Sequence, residues 1–229
     1  MEYKVYGHAG KPCLVFPCQD GRFYEWQDRD MFSFVEKEIE AGEVQFVCVD
    51  SIDHLSWSNS GDVTSRMDMQ EKYVQYIMQE LIPSFPNQTW MTTGCSMGGY
   101  HALNMYLRFP DTFDQMLAMS GVYDMEPFFL GQGNSLNCYQ NDPYRSILNM
   151  DRQHEYISKY NQNQAILVVG QGSWEEHCLF DFTKMMHLFM DKNIQAEYHL
   201  YPACYPHDWS SWQEYFSLFI HKMIRASHH

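Results

Sequence analysis

The stretch Gly94-Cys95-Ser96-Met97-Gly98-Gly99 constrains the fold of this 229-residue chain more than any other. It follows the strand-like Trp90-Met91-Thr92-Thr93 and opens a helix-like run to Arg108. A serine set between glycines at such a junction marks a nucleophile elbow. The backbone turns from strand to helix so sharply that a side chain at Gly94 or Gly98 would clash, and the turn lifts the Ser96 hydroxyl clear of the sheet. The helix N-terminus beneath it favours developing negative charge. A buried strand feeding directly into a helix is a unit of parallel sheet.

The rest of the chain repeats that unit. Apolar runs at 12–16, 44–49, 89–93, 115–120, 165–169 and 196–201 are expected strands. Helical stretches are expected at 30–41, 69–82, 96–108, 178–191 and 209–224, several stopped by Gly or Pro. Strands alternating with helices give a parallel sheet with crossover helices on its faces. With 45% apolar and 16% aromatic residues, the chain can bury one sizeable core, expected as a single domain over 1–226. Residues 227–229, with His228 and His229, read as a tag remnant. The region 122–150 breaks the rhythm. It is rich in Gly, Asn, Pro and aromatics and is expected over the carboxyl edge of the sheet as a lid or pocket-forming loop, with Phe128, Phe129, Leu130 and Tyr139 as candidate pocket residues.

A hydroxyl becomes a good nucleophile only when a base takes its proton. His207, in Tyr205-Pro206-His207-Asp208-Trp209 between the last strand and the last helix, is placed to be that base. His54, His101, His187, His199 and His221 fall before the serine, inside helices or a strand, or near the terminus. The third member should come from Gly170-Gln171-Gly172-Ser173-Trp174-Glu175-Glu176-His177, giving the order Ser, acid, His. Glu175 is the expected acid, with Trp174 packing inward as the loop turns. Glu176, at the start of the next helix, and Asp181 are the alternatives. Oxyanion donors are expected from the N–H of Met97 and from the loop Val15 to Gly21, where Gln19 is preferred and Cys18 is the alternative. Pro17 has no N–H to give.

A formal charge of −14 argues against nucleic-acid and anionic-membrane partners. A small-molecule substrate fits better. The start Met-Glu-Tyr-Lys-Val-Tyr lacks the pattern of a secretory signal, and no run reaches the ~20 apolar residues of a membrane span, so a cytoplasmic protein is expected. Seven cysteines spread singly support neither a disulfide framework nor a zinc site. No metal is expected.

The elbow, the segment Ser120-Gly121-Val122-Tyr123-Asp124 and the run His207-Asp208-Trp209-Ser210-Ser211-Trp212 resemble the esterase family of α/β-hydrolases over nearly the whole chain. That group includes S-formylglutathione hydrolases, feruloyl esterases, siderophore esterases and mycolyl transferases. The resemblance implies an α/β-hydrolase fold, mostly parallel with helices on both faces. It implies Ser96 as nucleophile, His207 as base, no cofactor, and hydrolysis of a carboxylic ester or thioester through an acyl-enzyme. Trp209 and Trp212 would anchor the last helix by packing. Members often carry Asp as the acid where this chain has its Glu pair, and the early loop reads Phe16-Pro17-Cys18 in place of a His-Gly start. An acyltransferase using the same site, or a non-catalytic binding protein on the same scaffold, are the alternative readings.

Overall fold

The computed structural model describes residues 1–86 and 88–227; the expected tag residues His228 and His229 lie outside them. Seven strands form one sheet: β1 (Tyr3–Tyr6), β2 (Lys11–Phe16), β3 (Val44–Val49), β4 (Trp90–Cys95), β5 (Phe113–Met119), β6 (Gln164–Val169) and β7 (Glu197–Leu200). Their order is β1-β3-β2-β4-β5-β6-β7, and every pairing is parallel except that of β1 with β3. The helices are α1 (Glu25–Asp28), α2 (Glu36–Glu40), α3 (Val63–Tyr76), α4 (Met97–Arg108), α5 (Glu126–Phe129), α6 (Leu136–Gln140), α7 (Pro143–Leu148), α8 (Glu155–Tyr160), α9 (Glu176–Lys192) and α10 (Trp209–Ala226).

Side chains alternate across each strand, so every central strand feeds two cores. Leu14, Phe16, Val47, Val49, Met116, Ala118, Leu167 and Val169 point to the face covered by α3, α4 and α9. Cys13, Val15, Phe46, Cys48, Leu117, Met119, Ile166 and Val168 point to the face covered by α10 and by Trp26, Met31 and Val35. β3 and β4 are buried along their whole length, as strands covered on both faces must be. Each large apolar side chain taken fully out of water contributes ~1.5–3 kcal/mol before the entropy of ordering it is counted. The edge strands β1 and β7 are half-buried or exposed.

Three departures from the sequence reading have local causes. The expected helix at 30–41 is a 3-10 turn over Met31–Val35 followed by α2, because Asp30 takes a left-handed conformation that resets the chain. The helix expected from 69 begins at Val63, where the Asp62 carboxylate accepts from the Ser65 N–H at 2.9 Å. The irregular 122–150 region holds three short helices rather than open loop; Ser135 caps α6, and Asp142 caps α7 ahead of its first-turn proline. Among the described residues, no helix is long and apolar enough to cross a membrane.

Candidate active site

Ser96 follows β4 and caps α4 with φ 55° and ψ −124°, a conformation that side chains rarely adopt. Two glycines make it reachable. A Cβ on Gly94 would lie 2.3 Å from the Gly98 carbonyl group, and one on Gly98 would lie 2.5 Å from the Phe16 carbonyl oxygen. The same close approach lays the loop after β2 against the start of α4, consistent with the register that pairs Phe16 with Gly94. From 90 to 107 every residue is buried except Ser96, so the turn delivers one hydroxyl to the surface.

His207 reaches that hydroxyl. Its Nε2 lies 2.9 Å from Ser96 Oγ, and its loop is tied to the turn after β6 by two backbone bonds, His207 N–H to Ser173 O and Gly172 N–H to Tyr205 O, both 2.9 Å. The imidazole edge stands against the Trp212 ring, centroids 4.9 Å apart.

Glu175 completes the line. One carboxylate oxygen lies 3.1 Å from His207 Nδ1, and the other accepts from the Ser120 hydroxyl. Ser120 Oγ in turn accepts from Trp212 Nε1 at 3.1 Å. Glu175 is fully buried, whereas Glu176 is exposed in the first turn of α9. Asp181 holds the backbone after β5, accepting from the N–H groups of Tyr123 and Asp124 at 2.8 and 3.1 Å. The inward Trp174 is a correction: with φ 69° its backbone is left-handed, and its side chain is 83% exposed. Neither Ser120 as a partner of Glu175 nor the Trp212 indole N–H as a partner of Ser120 is foreseen in the sequence. Ser120 stands in a quoted motif, but only the fold brings it across from β5 to β6.

The loop after β2 separates its two oxyanion candidates. The Cys18 N–H already donates to Glu25 Oε2 at 2.8 Å, so it is occupied. The N–H groups of Gln19 and Met97 donate to no protein acceptor among the described residues. Met97 is the first residue of α4, whose N–H lies beyond the reach of intrahelical bonding. Three contacts hold the loop: Glu25 on Cys18, Ser58 on the Gln19 side chain at 2.7 Å, and Asp53 on the Asp20 N–H at 3.4 Å. Asp53 is itself fully buried and lies 3.0 Å from His101 Nε2, which places that histidine in a supporting pair behind the loop.

The pocket candidates divide. Phe129 is fully buried with Trp57, Met67, Met97 and Tyr100, so it packs the floor. Phe128 is half-buried against Trp57 and leaves part of its ring free beside that cluster. Leu130 is 76% exposed. Tyr139 is not brought to Ser96: it lines a cavity of about 520 Å³ with Leu107, Arg108 and Phe109, at the opposite end of α4. A 12-residue helix, some 18 Å long, separates the two places.

Among the described residues, Glu175, Cys178 and His207 form the one group able to hold a metal, their ligand atoms within 4.8 Å of one another. Ion binding there would compete with the Glu175–His207 contact. Burial also pushes the Cys178 thiol well above its ordinary range, which disfavours the thiolate a metal needs. The arrangement as it stands is a hydroxyl on an imidazole whose far nitrogen faces a buried carboxylate, beside two unpaired N–H groups.

The model of the Putative esterase family matches residues 2–222. No curated protein matches the chain in sequence. Among solved structures, a ferulic acid esterase superposes with TM-score 0.74 at 15% identity, covering 97% of this chain and 91% of that one. An S-formylglutathione hydrolase of Staphylococcus aureus gives 0.65 at 16% identity, covering 94% and 82%. The capsule O-acetyltransferase of Neisseria meningitidis serogroup A gives 0.62 at 15% identity, covering 97% and 90%. At these identities the likeness to each is one of fold.

Proposed function

Because the chain belongs to the Putative esterase family of ester-hydrolysing enzymes, we propose that it cleaves a carboxylic ester or thioester through an acyl-enzyme on Ser96. The observation that carries this reading is the unbroken line from Ser96 Oγ through His207 to Glu175, with contacts of 2.9 and 3.1 Å. Ser96 Oγ attacks the carbonyl carbon while His207 Nε2 takes its proton. Glu175 accepts from Nδ1–H, fixing the tautomer that leaves Nε2 free and stabilising the imidazolium that forms. The carbonyl oxygen, now anionic, is held by the N–H groups of Met97 and Gln19, each worth ~3 kcal/mol in the transition state. His207 then passes its proton to the departing alcohol or thiol. Water, deprotonated by the same nitrogen, releases the acid and restores the serine. No step calls on a metal or organic cofactor.

Ferulic acid esterase and S-formylglutathione hydrolase share this fold, and they motivate an aromatic acyl ester and a small thioester as first substrates. The O-acetyltransferase of the same fold favours a second reading, in which an alcohol takes the acyl group in place of water. All seven cysteines are unpaired, as a reducing compartment would leave them, and we place the reaction in the cytoplasm. A fluorophosphonate should label the protein once, at Ser96, and p-nitrophenyl esters of rising chain length should identify the acyl group; added alcohols separate hydrolysis from transfer. Labelling that survives Ser96→Ala would refute the assignment.

A further inference from the structure

Trp174 is the most exposed large apolar side chain in the described structure, at 83%, and it sits between two residues that both hold His207. The Ser173 carbonyl accepts from the His207 N–H, and the Glu175 carboxylate faces His207 Nδ1. Spanning those two contacts forces the residue between them into a left-handed turn, φ 69°. That geometry explains the backbone and leaves the side chain unexplained. Glycine would make the same turn without strain, and asparagine at less cost than a bulky residue. Here the chain places its largest apolar side chain in a strained conformation, in water, with no aromatic ring or cation against it among the described residues. Folding gains little from such a residue, so its use lies in what binds there.

The position also identifies which half of the substrate it meets. The leaving group must lie at His207 Nε2 to receive its proton, and Trp174 belongs to the loop bonded to His207. Met97, next to Ser96 in the chain, belongs instead to the apolar cluster with Trp57 and Phe129, against which Phe128 packs, and that cluster is left for the acyl group. Glu176 and Asp208, which follow Glu175 and His207 in the chain, are both exposed, so an anionic leaving group would be repelled. We propose that Trp174 is a leaving-group subsite: a platform on which the flat apolar face of a neutral, ring-bearing alcohol stacks while its ester bond lies over Ser96. This rests on the assignment of Ser96 and His207 made above. In a transfer reaction the same platform would receive the acceptor alcohol.

The test uses three esters of whichever acyl group the p-nitrophenyl series selects: ethyl, benzyl and methyl-glucoside. Each is run on wild type, Trp174→Ala and Trp174→Gly. The readout is the ratio of kcat/KM for each ring-bearing ester over the ethyl ester. Stacking of this kind predicts a fall of about three- to ten-fold in that ratio for both variants. A fall for the benzyl ester alone identifies an aromatic ring, and a fall for the glucoside alone identifies a sugar. Trp174→Gly guards against a folding artefact, since it relieves the left-handed strain and should melt no lower than Trp174→Ala. Ratios unchanged for both rings, or an equal fall for all three esters, would overturn the subsite. Failure of wild-type Ser96 to take up a fluorophosphonate would overturn the underlying assignment instead, so the two failures are distinguishable.

Discussion

The two edges of the sheet handle tight turns in opposite ways. At the amino edge, three of the four left-handed positions are glycines, Gly7 and Gly10 between β1 and β2 and Gly42 before β3, and the fourth is Asn193 before β7, a residue type that takes this conformation at little cost. At the carboxyl edge, the left-handed residues in the turns that directly follow strands are Asp20 after β2, Ser96 after β4, Ser120 after β5 and Trp174 after β6, none of them glycine. A turn that only reverses the chain is cheapest with glycine, whereas a turn that must present a side chain at one spot tolerates ~1–2 kcal/mol of left-handed strain. The contrast separates connection from chemistry by backbone alone. All four strained residues lie on the loops that surround the proposed nucleophile, acid and oxyanion donors.

Ser96 gives the sharpest way to break this contrast. Ser96→Gly should cut kcat by about 10⁶, yet raise stability by ~1 kcal/mol because the strained φ is relieved; chemical denaturation beside a turnover assay checks both. A glycine variant that is less stable than wild type would show that Ser96 is not strained. Glu175→Gln comes next, with kcat falling by up to ~10⁴ while the fold persists. Glu176→Gln, on an exposed side chain, should change turnover less than two-fold. If the two exchanged behaviour, the acid would be misplaced.

The 122–150 region supplies an effect of intermediate size that does not depend on strain. Burial raises the Asp142 carboxyl from 3.8 to about 6. A carboxyl favoured in its neutral form stabilises the fold fully below pH 3.8 and loses that contribution as pH rises through about 6. Relative to Asp142→Asn, wild type should therefore lose roughly 3 kcal/mol of unfolding free energy across that window, measured by urea titration at several pH values. Parallel curves for the two proteins would refute it. The smallest effect belongs to the amino edge. Gly42→Ala, at φ 69° with its new Cβ 3.2 Å from the His8 ring, should cost ~1 kcal/mol and leave kcat unchanged.

How far the sequence could be read follows the same division. The elbow, the strands that flank it and the position of His207 are encoded in short contiguous patterns: a G-x-S-x-G between strand and helix, and a histidine between the last strand and last helix. Glu175 and Glu176 differ locally in the sequence, one at a loop end and the other at a helix start. What escaped depends on contacts between distant segments. Nothing near Ser120 announces that its hydroxyl meets Glu175, 55 residues on. Tyr139 looked like its aromatic neighbours in composition, and only the path of α6 and α7 carries it to the far end of α4. Trp174 is expected inward as the loop turns, and the two contacts to His207 on either side of it turn it out.

The contact between Ser96 and His207 joins residues 111 apart, and the Trp212 indole reaches back 92 to the Ser120 hydroxyl that bonds Glu175. Loops that long are closed late, because their entropy is lost before their contacts are gained. During synthesis Ser96 therefore emerges far ahead of His207, and its hydroxyl lacks that partner while most of the sheet is already laid down. Esterase activity in a refolding experiment should accordingly appear after the bulk of the helical signal, with the docking of α10 as the event that switches it on.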